Sequence, residues 1–204
     1  MSELLAGIVS EIQESIVVQE QLAVGASQSI ANAARMIIAS MQSGGKLIVF
    51  GNGGSAADAQ HLSAELVGRY RQDRKAFPAI ALTTDSSALT SISNDYGFDA
   101  IFSRQLEAIG KPGDVVVAIS TSGNSPNVLL ALATAKKLGI ASIGLTGKSG
   151  GKLRSEVDIC LSVPSDSTPR IQEAHGLVIH ILSGLIERAL TSEGTVKQSA
   201  STSR

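Results

Sequence analysis

With 204 residues, 43% of them hydrophobic, the chain can bury a sizeable core, and its length sits at the upper end of one ordinary domain. Its 17 Lys and Arg nearly balance 18 Asp and Glu, and there are no Trp and only 2 Tyr, which excludes the basic footprint and the stacking platform of a nucleic-acid binder and favours a small, weakly charged partner. The opening "MSELLAGIVSEIQES" carries Glu3 and Glu11 where a signal peptide would carry Lys or Arg, and no apolar run approaches bilayer-spanning length, so the chain is expected to be cytoplasmic with no membrane partner.

Residues 3 to 43 hold a long amphipathic helical pattern (Leu4, Leu5, Ile8, Ile12, Ile16), expected to break near Gly25 and to end at "SGGK". Five β-rich runs follow: "KLIVF" at 46 to 50, "AIALTT" at 79 to 84, "DVVVAIS" at 114 to 120, "ASIGLT" at 141 to 146 and "DICLSV" at 158 to 163. Most are apolar throughout rather than alternating, which suits strands covered on both faces, and the intervening segments are long enough for crossover helices. The predicted fold class is α/β, a three-layer αβα sandwich around a five-stranded parallel sheet. Cys160, the only cysteine, falls in the fifth run and reads as a buried small hydrophobe in a reducing compartment. "RIQEAHGLVIHILSGLIERAL" at 170 to 190 is a second strongly apolar helix. With the N-terminal one it exceeds what a sheet face needs, which points to oligomer contacts. The division is therefore an N-terminal helical segment (1–43), an α/β domain (44–190) and a polar, low-complexity tail (191–204) expected to be disordered.

A doubly wound sheet binds ligands beyond the carboxyl ends of its strands, where two loops of small residues lie. "GNGGS" at 51 to 55 permits close backbone approach and leaves amides and a helix N-terminus facing a ligand. "STSGNSPN" at 120 to 127 offers the hydroxyls of Ser120, Thr121, Ser122 and Ser125, with Pro126 suited to the first position of a helix and Ser125 or Asn124 to its cap. Such convergent donors suit a phosphate. Taken singly, each loop also reads as an ordinary turn and cap. Gly51, Gly53 and Ala56 fit G-x-G-x-x-A as well, but the acidic residue that a nicotinamide site wants at the end of the second strand is missing from its place.

On a helix starting near Ala56, His61 and Glu65 share a face that Arg69 continues. The plain reading is an exposed i,i+4 pair. The functional one is a metal site, since Zn²⁺ accepts nitrogen and oxygen ligands and can polarise a sugar carbonyl. The C-terminal helix could complete it with Gln172, His175 or His180, and periodicity does not choose between the two histidines. Gln172 and His180 are eight residues apart, a rise of about 12 Å and a rotation of about 80° on a straight helix. Either Gln172 precedes the helix in an irregular segment, or different protomers contribute the two residues. On the second option, a mixture of Glu65→Gln and His180→Ala chains is expected to regain activity.

"GNGGSAADAQHLSAELVGRY", "SNDYGF", "FSRQLEAIGKPGDVVVAISTSGNSPNV", "LTGKSGGKL" and "RIQEAHGLVIHIL" together resemble the phosphoheptose isomerases of the sugar-isomerase (SIS) superfamily, colinearly from about residue 40 to 190. The resemblance implies a flavodoxin-like SIS domain and interconversion of D-sedoheptulose 7-phosphate and D-glycero-D-manno-heptose 7-phosphate. That is the first step towards nucleotide-activated (ADP- or GDP-) heptose for lipopolysaccharide core or other surface glycans. It implies a homotetramer with sites at subunit interfaces and one Zn²⁺ per subunit, held by His61, Glu65, Gln172 and His180. It thereby selects His180 over His175. Substrate contacts are implied at Asn52, Gly53, Gly54, Glu65, Asn94, Asp95, Ser120, Thr121, Ser122, Ser125 and Gln172, with Glu65 and His180 as acid and base. The alternatives are a non-catalytic SIS regulator of the DnaA initiator-associating type, which lacks that acid and base, and a sugar-phosphate-sensing module.

Overall fold

The structure, a computed structural model, describes the backbone of residues 2–201 and the side chains of residues 2–191. In chain order the elements are α1 (Ser2–Gln42), β1 (Leu47–Gly51), α2 (Gly54–Val67), β2 (Ala79–Ala81), α3 (Ser86–Tyr96), α4 (Ile101–Ile109), β3 (Val115–Ser120), α5 (Pro126–Lys137), β4 (Ala141–Thr146), α6 (Leu153–Glu156), β5 (Ile159–Ser162) and α7 (Thr168–Ser201), with a 3-10 turn at Phe98–Ala100. All strand pairs are parallel, in the order β2-β1-β3-β4-β5. This is the flavodoxin-like order, and it puts a topological switch point between β1 and β3, whose carboxyl ends open a crevice.

The apolar runs form strands because each sends alternate residues into one of two cores. Leu47, Val49, Val115, Val117, Ile119, Ile143 and Leu145 pack with α1, α2 and α7. Ile48, Phe50, Val116 and Ala118 pack on the other face with α4 and α5. The result is the expected three-layer αβα sandwich. β2 is shorter than the apolar run suggested: it stops at Ala81, and Asp85 then accepts the Ala88 N–H at 2.9 Å to cap α3.

Three expectations change. α1 runs unbroken through Gly25. A lone helical glycine costs only about 1 kcal/mol, and the stripe Val18, Leu22, Ala26, Ile30, Ala33 and Ile37 around it is buried against α7 and the sheet. The second half of α1 thus packs into the α/β core, and the boundary expected at residue 43 falls inside one continuous packing unit. Along the first half of α1 the apolar side chains are exposed, Leu4 by 75%, Ile8 by 55% and Ile12 by 56%, while Arg170 of α7 pairs with Glu11 and Glu14 there. Lastly, α7 continues past residue 190 to Ser201, since no proline interrupts it; the side chains of 192–201 and all of 202–204, most of the expected tail, lie outside the described residues. Among the described residues no helix is long and apolar enough to cross a membrane.

Candidate active site

The crevice is floored by the two small-residue loops. Gly53, at φ 56°, turns the chain from β1 into α2, a conformation that only glycine adopts freely. At Gly54 the Gln172 amide of α7 lies so close that any Cβ would collide with it. The two loops are tied together by a reciprocal pair of amides: Asn52 Nδ2 donates to Asn127 Oδ1 at 2.8 Å and Asn127 Nδ2 to Asn52 Oδ1 at 2.9 Å. Ser120 ends β3 as a buried hydroxyl 3.1 Å from the Ser125 hydroxyl. Ser125 occupies the cap position of α5 yet makes no capping hydrogen bond, its hydroxyl being turned to Ser120 instead, and Pro126 begins the helix as expected. The Asn124 N–H donates to Ser122 Oγ at 3.2 Å.

Two hollows adjoin these loops. One of about 550 Å³ is lined by Asn52, Gly53, Thr83, Ser93, Asn94 and Phe98, among others. A smaller one of about 280 Å³ is lined by Thr121 and Ser122 with Lys148, Ser149, Ser165 and Thr168. Asn94 thus faces the same hollow as the first loop, and it also donates to Asp95 Oδ1 at 2.8 Å. Asp95 itself is exposed.

Further along α2, the i,i+4 spacing brings His61 Nε2 to 3.2 Å from Glu65 Oε1, and α7 brings His180 Nε2 to 3.2 Å from His61 Nε2. Ligand atoms of the three residues lie within 4.8 Å of one another. Around a tetrahedral ion held at 2.0–2.1 Å, ligand atoms stand roughly 3.3–3.4 Å apart; His61 Nε2 is close to that distance from both Glu65 Oε1 and His180 Nε2, and this donor set is one that could hold a divalent metal such as zinc. The two imidazoles meet edge to face, with centroids 4.8 Å apart.

The structure separates the two histidines of α7 that periodicity left open. His175 is 1% exposed and turned to the Thr146 carbonyl oxygen at 3.4 Å. Burial holds its pKa down to about 4, against a small upward pull from that carbonyl. It is a neutral core histidine. Gln172 is inside α7, so the irregular-segment option does not hold. Its amide lies at Gly54, whereas the triad gathers around His61, seven residues or about 10 Å further along α2.

A model of the SIS domain family matches residues 12–147. The chain is 53% identical to the phosphoheptose isomerase of Geotalea daltonii over 91% of its own length and 97% of that protein. It is 57% identical to that of Rhodospirillum rubrum over 80% and 87% of the two chains. The chain belongs to the phosphoheptose isomerases of the SIS-domain family. A solved structure within the same family, phosphoheptose isomerase from Neisseria gonorrhoeae, superposes with a TM-score of 0.87 at 42% identity, covering 91% of this chain and 99% of that one.

Two residues beside the candidate site, Asn127 and Asp58, were not singled out from sequence. Asn127 lies in the second loop itself, where a hydroxyl-rich run draws attention away from a buried amide. Asp58, one turn before His61 on α2, has a buried Oδ2 with no hydrogen-bond partner among the described residues. Burial raises its pKa to about 6, against the opposing charge of His61. Its spacing of three residues from His61 is the signal that could have found it.

Proposed function

We propose that this chain interconverts D-sedoheptulose 7-phosphate and D-glycero-D-manno-heptose 7-phosphate in the cytoplasm, feeding nucleotide-activated heptose synthesis for surface glycans. The observation that carries this reading beyond family membership is the convergence of Glu65 and His180, the acid and base that a regulator of the same fold lacks. An aldose–ketose isomerisation moves a proton between C1 and C2 through an enediol, so one group must take the carbon-bound proton while another protonates the carbonyl oxygen. Glu65 and His180 take these roles, and they exchange them in the reverse direction. A zinc ion, when bound by His61, Glu65 and His180, with Gln172 as the fourth ligand, would polarise the substrate carbonyl. Ser120, Thr121, Ser122 and Ser125 anchor the phosphate, and the distance from that loop to the triad is spanned by the heptose, which holds C1 and C2 at the acid/base pair. Asn52, Gly53, Gly54, Asn94 and Asp95 orient hydroxyls along the way. Because Gln172 lies at the other end of α2 from the triad in its own chain, we assign its ligand role to a neighbouring subunit of a homotetramer.

The test is turnover of sedoheptulose 7-phosphate by the purified protein before and after chelation. Activity lost on chelation and restored by Zn²⁺ supports both the reaction and the metal. Absence of turnover in the zinc-loaded protein would sink the reading.

A further inference from the structure

Beyond the acid/base pair, α7 carries a buried carboxylate with an unusual set of partners. Glu187 is 2% exposed and lies seven residues, about two turns, after His180. It accepts the backbone N–H groups of Tyr70 (3.1 Å), Arg71 (2.9 Å) and Gln72 (3.2 Å), and the Arg74 Nε–H at 3.1 Å. Burial alone would raise its pKa, but these donors outweigh it, and the carboxyl is held below its ordinary value. The ion pair with Arg74 is 3% exposed on both sides. Breaking one side of such a pair strands a buried charge.

What the carboxylate holds is the segment between α2 and β2, and that segment touches both members of the acid/base pair. The Tyr70 ring stacks on His180, with centroids 5.7 Å apart and planes 29° from parallel. It lies directly on the backbone of α7, where a Cβ at Gly184 would come within 3.3 Å of its Cε1. The Arg71 guanidinium covers the ring 5.0 Å from its centroid. Arg74, in turn, donates to the carbonyl oxygens of Glu65 (2.8 Å) and Leu66 (2.8 Å), which end α2. One face of His180 is thus covered by a ring that Glu187 fixes, and the backbone of Glu65 is tied to the same carboxylate through one guanidinium.

We infer that Glu187, Arg74 and Tyr70 form a clamp of positioning residues that sets the Glu65 carboxylate and the His180 imidazole in register across α2 and α7. This rests on the isomerase reading for its functional consequence and on the geometry alone for its existence. The ring of Tyr70 carries the contact with His180, so Tyr70→Phe keeps the clamp and Tyr70→Leu opens it while leaving the buried ion pair in place. Misplacing a catalytic group by an ångström costs about 100-fold. With the phosphate loop untouched, Tyr70→Leu is expected to lower kcat by at least roughly tenfold with KM within about twofold of wild type. Tyr70→Phe is expected to restore kcat.

A second readout uses no metal and no substrate. The chain has 3 histidines, so in chelator-treated, ¹³C-histidine-labelled full-length protein the His180 ring signals can be assigned by substitution. Loss of the stacked ring should shift them in Tyr70→Leu, and release of the segment should shift them in the same sense in Glu187→Gln, while Tyr70→Phe leaves them near wild type. His180 signals that stay put in Tyr70→Leu overturn the clamp. So does a shift unaccompanied by a fall in kcat, or a fall that Tyr70→Phe fails to restore. If the wild type turns over no heptulose phosphate, the isomerase reading fails by itself, and the spectra still decide whether the clamp exists. Should Glu187→Gln not fold, the two Tyr70 variants suffice.

Discussion

In the proposed reaction, Glu65 is the residue whose chemistry admits the least substitution. Glu65→Gln preserves shape and hydrogen bonding but can neither take a proton nor neutralise a metal, so kcat is expected to fall by about 100-fold or more, as for removal of a general base. Steady-state kinetics on the substituted protein checks this, and near-native kcat would remove Glu65 from the role. His175 makes a prediction of a different kind. Its folded pKa of about 4 lies below the ordinary histidine value of about 6.5. Between those values the unfolded chain binds a proton that the native one does not, so stability is present above about pH 6.5 and is lost as pH falls towards 4. That separation corresponds to about 3 kcal/mol. Denaturant titrations of wild type and His175→Gln between pH 4 and 7 should therefore converge towards acid, the wild type carrying the steeper slope. Comparing the two proteins cancels Asp58, whose raised pKa acts in the opposite sense over the same range.

Among the elements, the loop from β3 into α5 was readable in most of its parts. Hydroxyls bunched before a proline mark a helix entrance, and the structure adds that Ser125 faces Ser120 rather than capping α5. A phosphate anchor binds ground and transition states about equally. Ser120→Ala and Ser125→Ala are accordingly expected to raise KM several-fold, roughly 0.5–1.5 kcal/mol for each lost hydrogen bond, with kcat within about twofold. A fall in kcat at constant KM would place this loop at the reacting end instead. Legibility ran out at α1, where a central glycine resembles a break when only local propensity is weighed. Packing of Leu22, Ala26 and Ile30 on α7 and the sheet overrides it.

At the scale of the whole molecule, the first half of α1 presents Leu4, Leu5, Ile8, Val9, Ile12, Ile16 and Val17 as an exposed apolar stripe. Monomeric proteins seldom leave such a stripe uncovered, which supports the proposed tetramer. Ile8→Glu combined with Ile12→Glu is expected to lower the mass measured by light scattering and to abolish most activity. An unchanged mass would place the subunit contact elsewhere. The mixing experiment also changes. Glu65 and His180 meet within one chain, so Glu65→Gln mixed with His180→Ala should stay inactive, contrary to the expectation drawn from the sequence. Glu65→Gln mixed with Gln172→Ala should instead recover up to about a quarter of wild-type sites in a random mixture, one interface in four pairing both intact residues. No recovery despite verified subunit exchange would count against a shared site.

By itself the sequence determined the sheet, because a strand buried on two faces must be apolar throughout and five such runs leave little else to build. It determined the two small-residue loops beyond β1 and β3, since glycine and clustered hydroxyls do what few other residues can, and it determined that His61 and Glu65 share a face, since helix period alone decides that. Residue spacing left His175 and His180 open and the family resemblance pointed to His180; the tertiary structure adds that His175 is buried in the core and that His180 stands beside His61. A helix as apolar on most sides as α7 can be rotated about its axis without losing burial, so periodicity leaves its functional face undefined until the sheet and α2 fix it. The contacts of Glu187 with residues 70 to 74 were likewise out of reach. They join positions as much as 117 residues apart, and nothing in either segment announces a partner that only the packing of α7 beside α2 supplies.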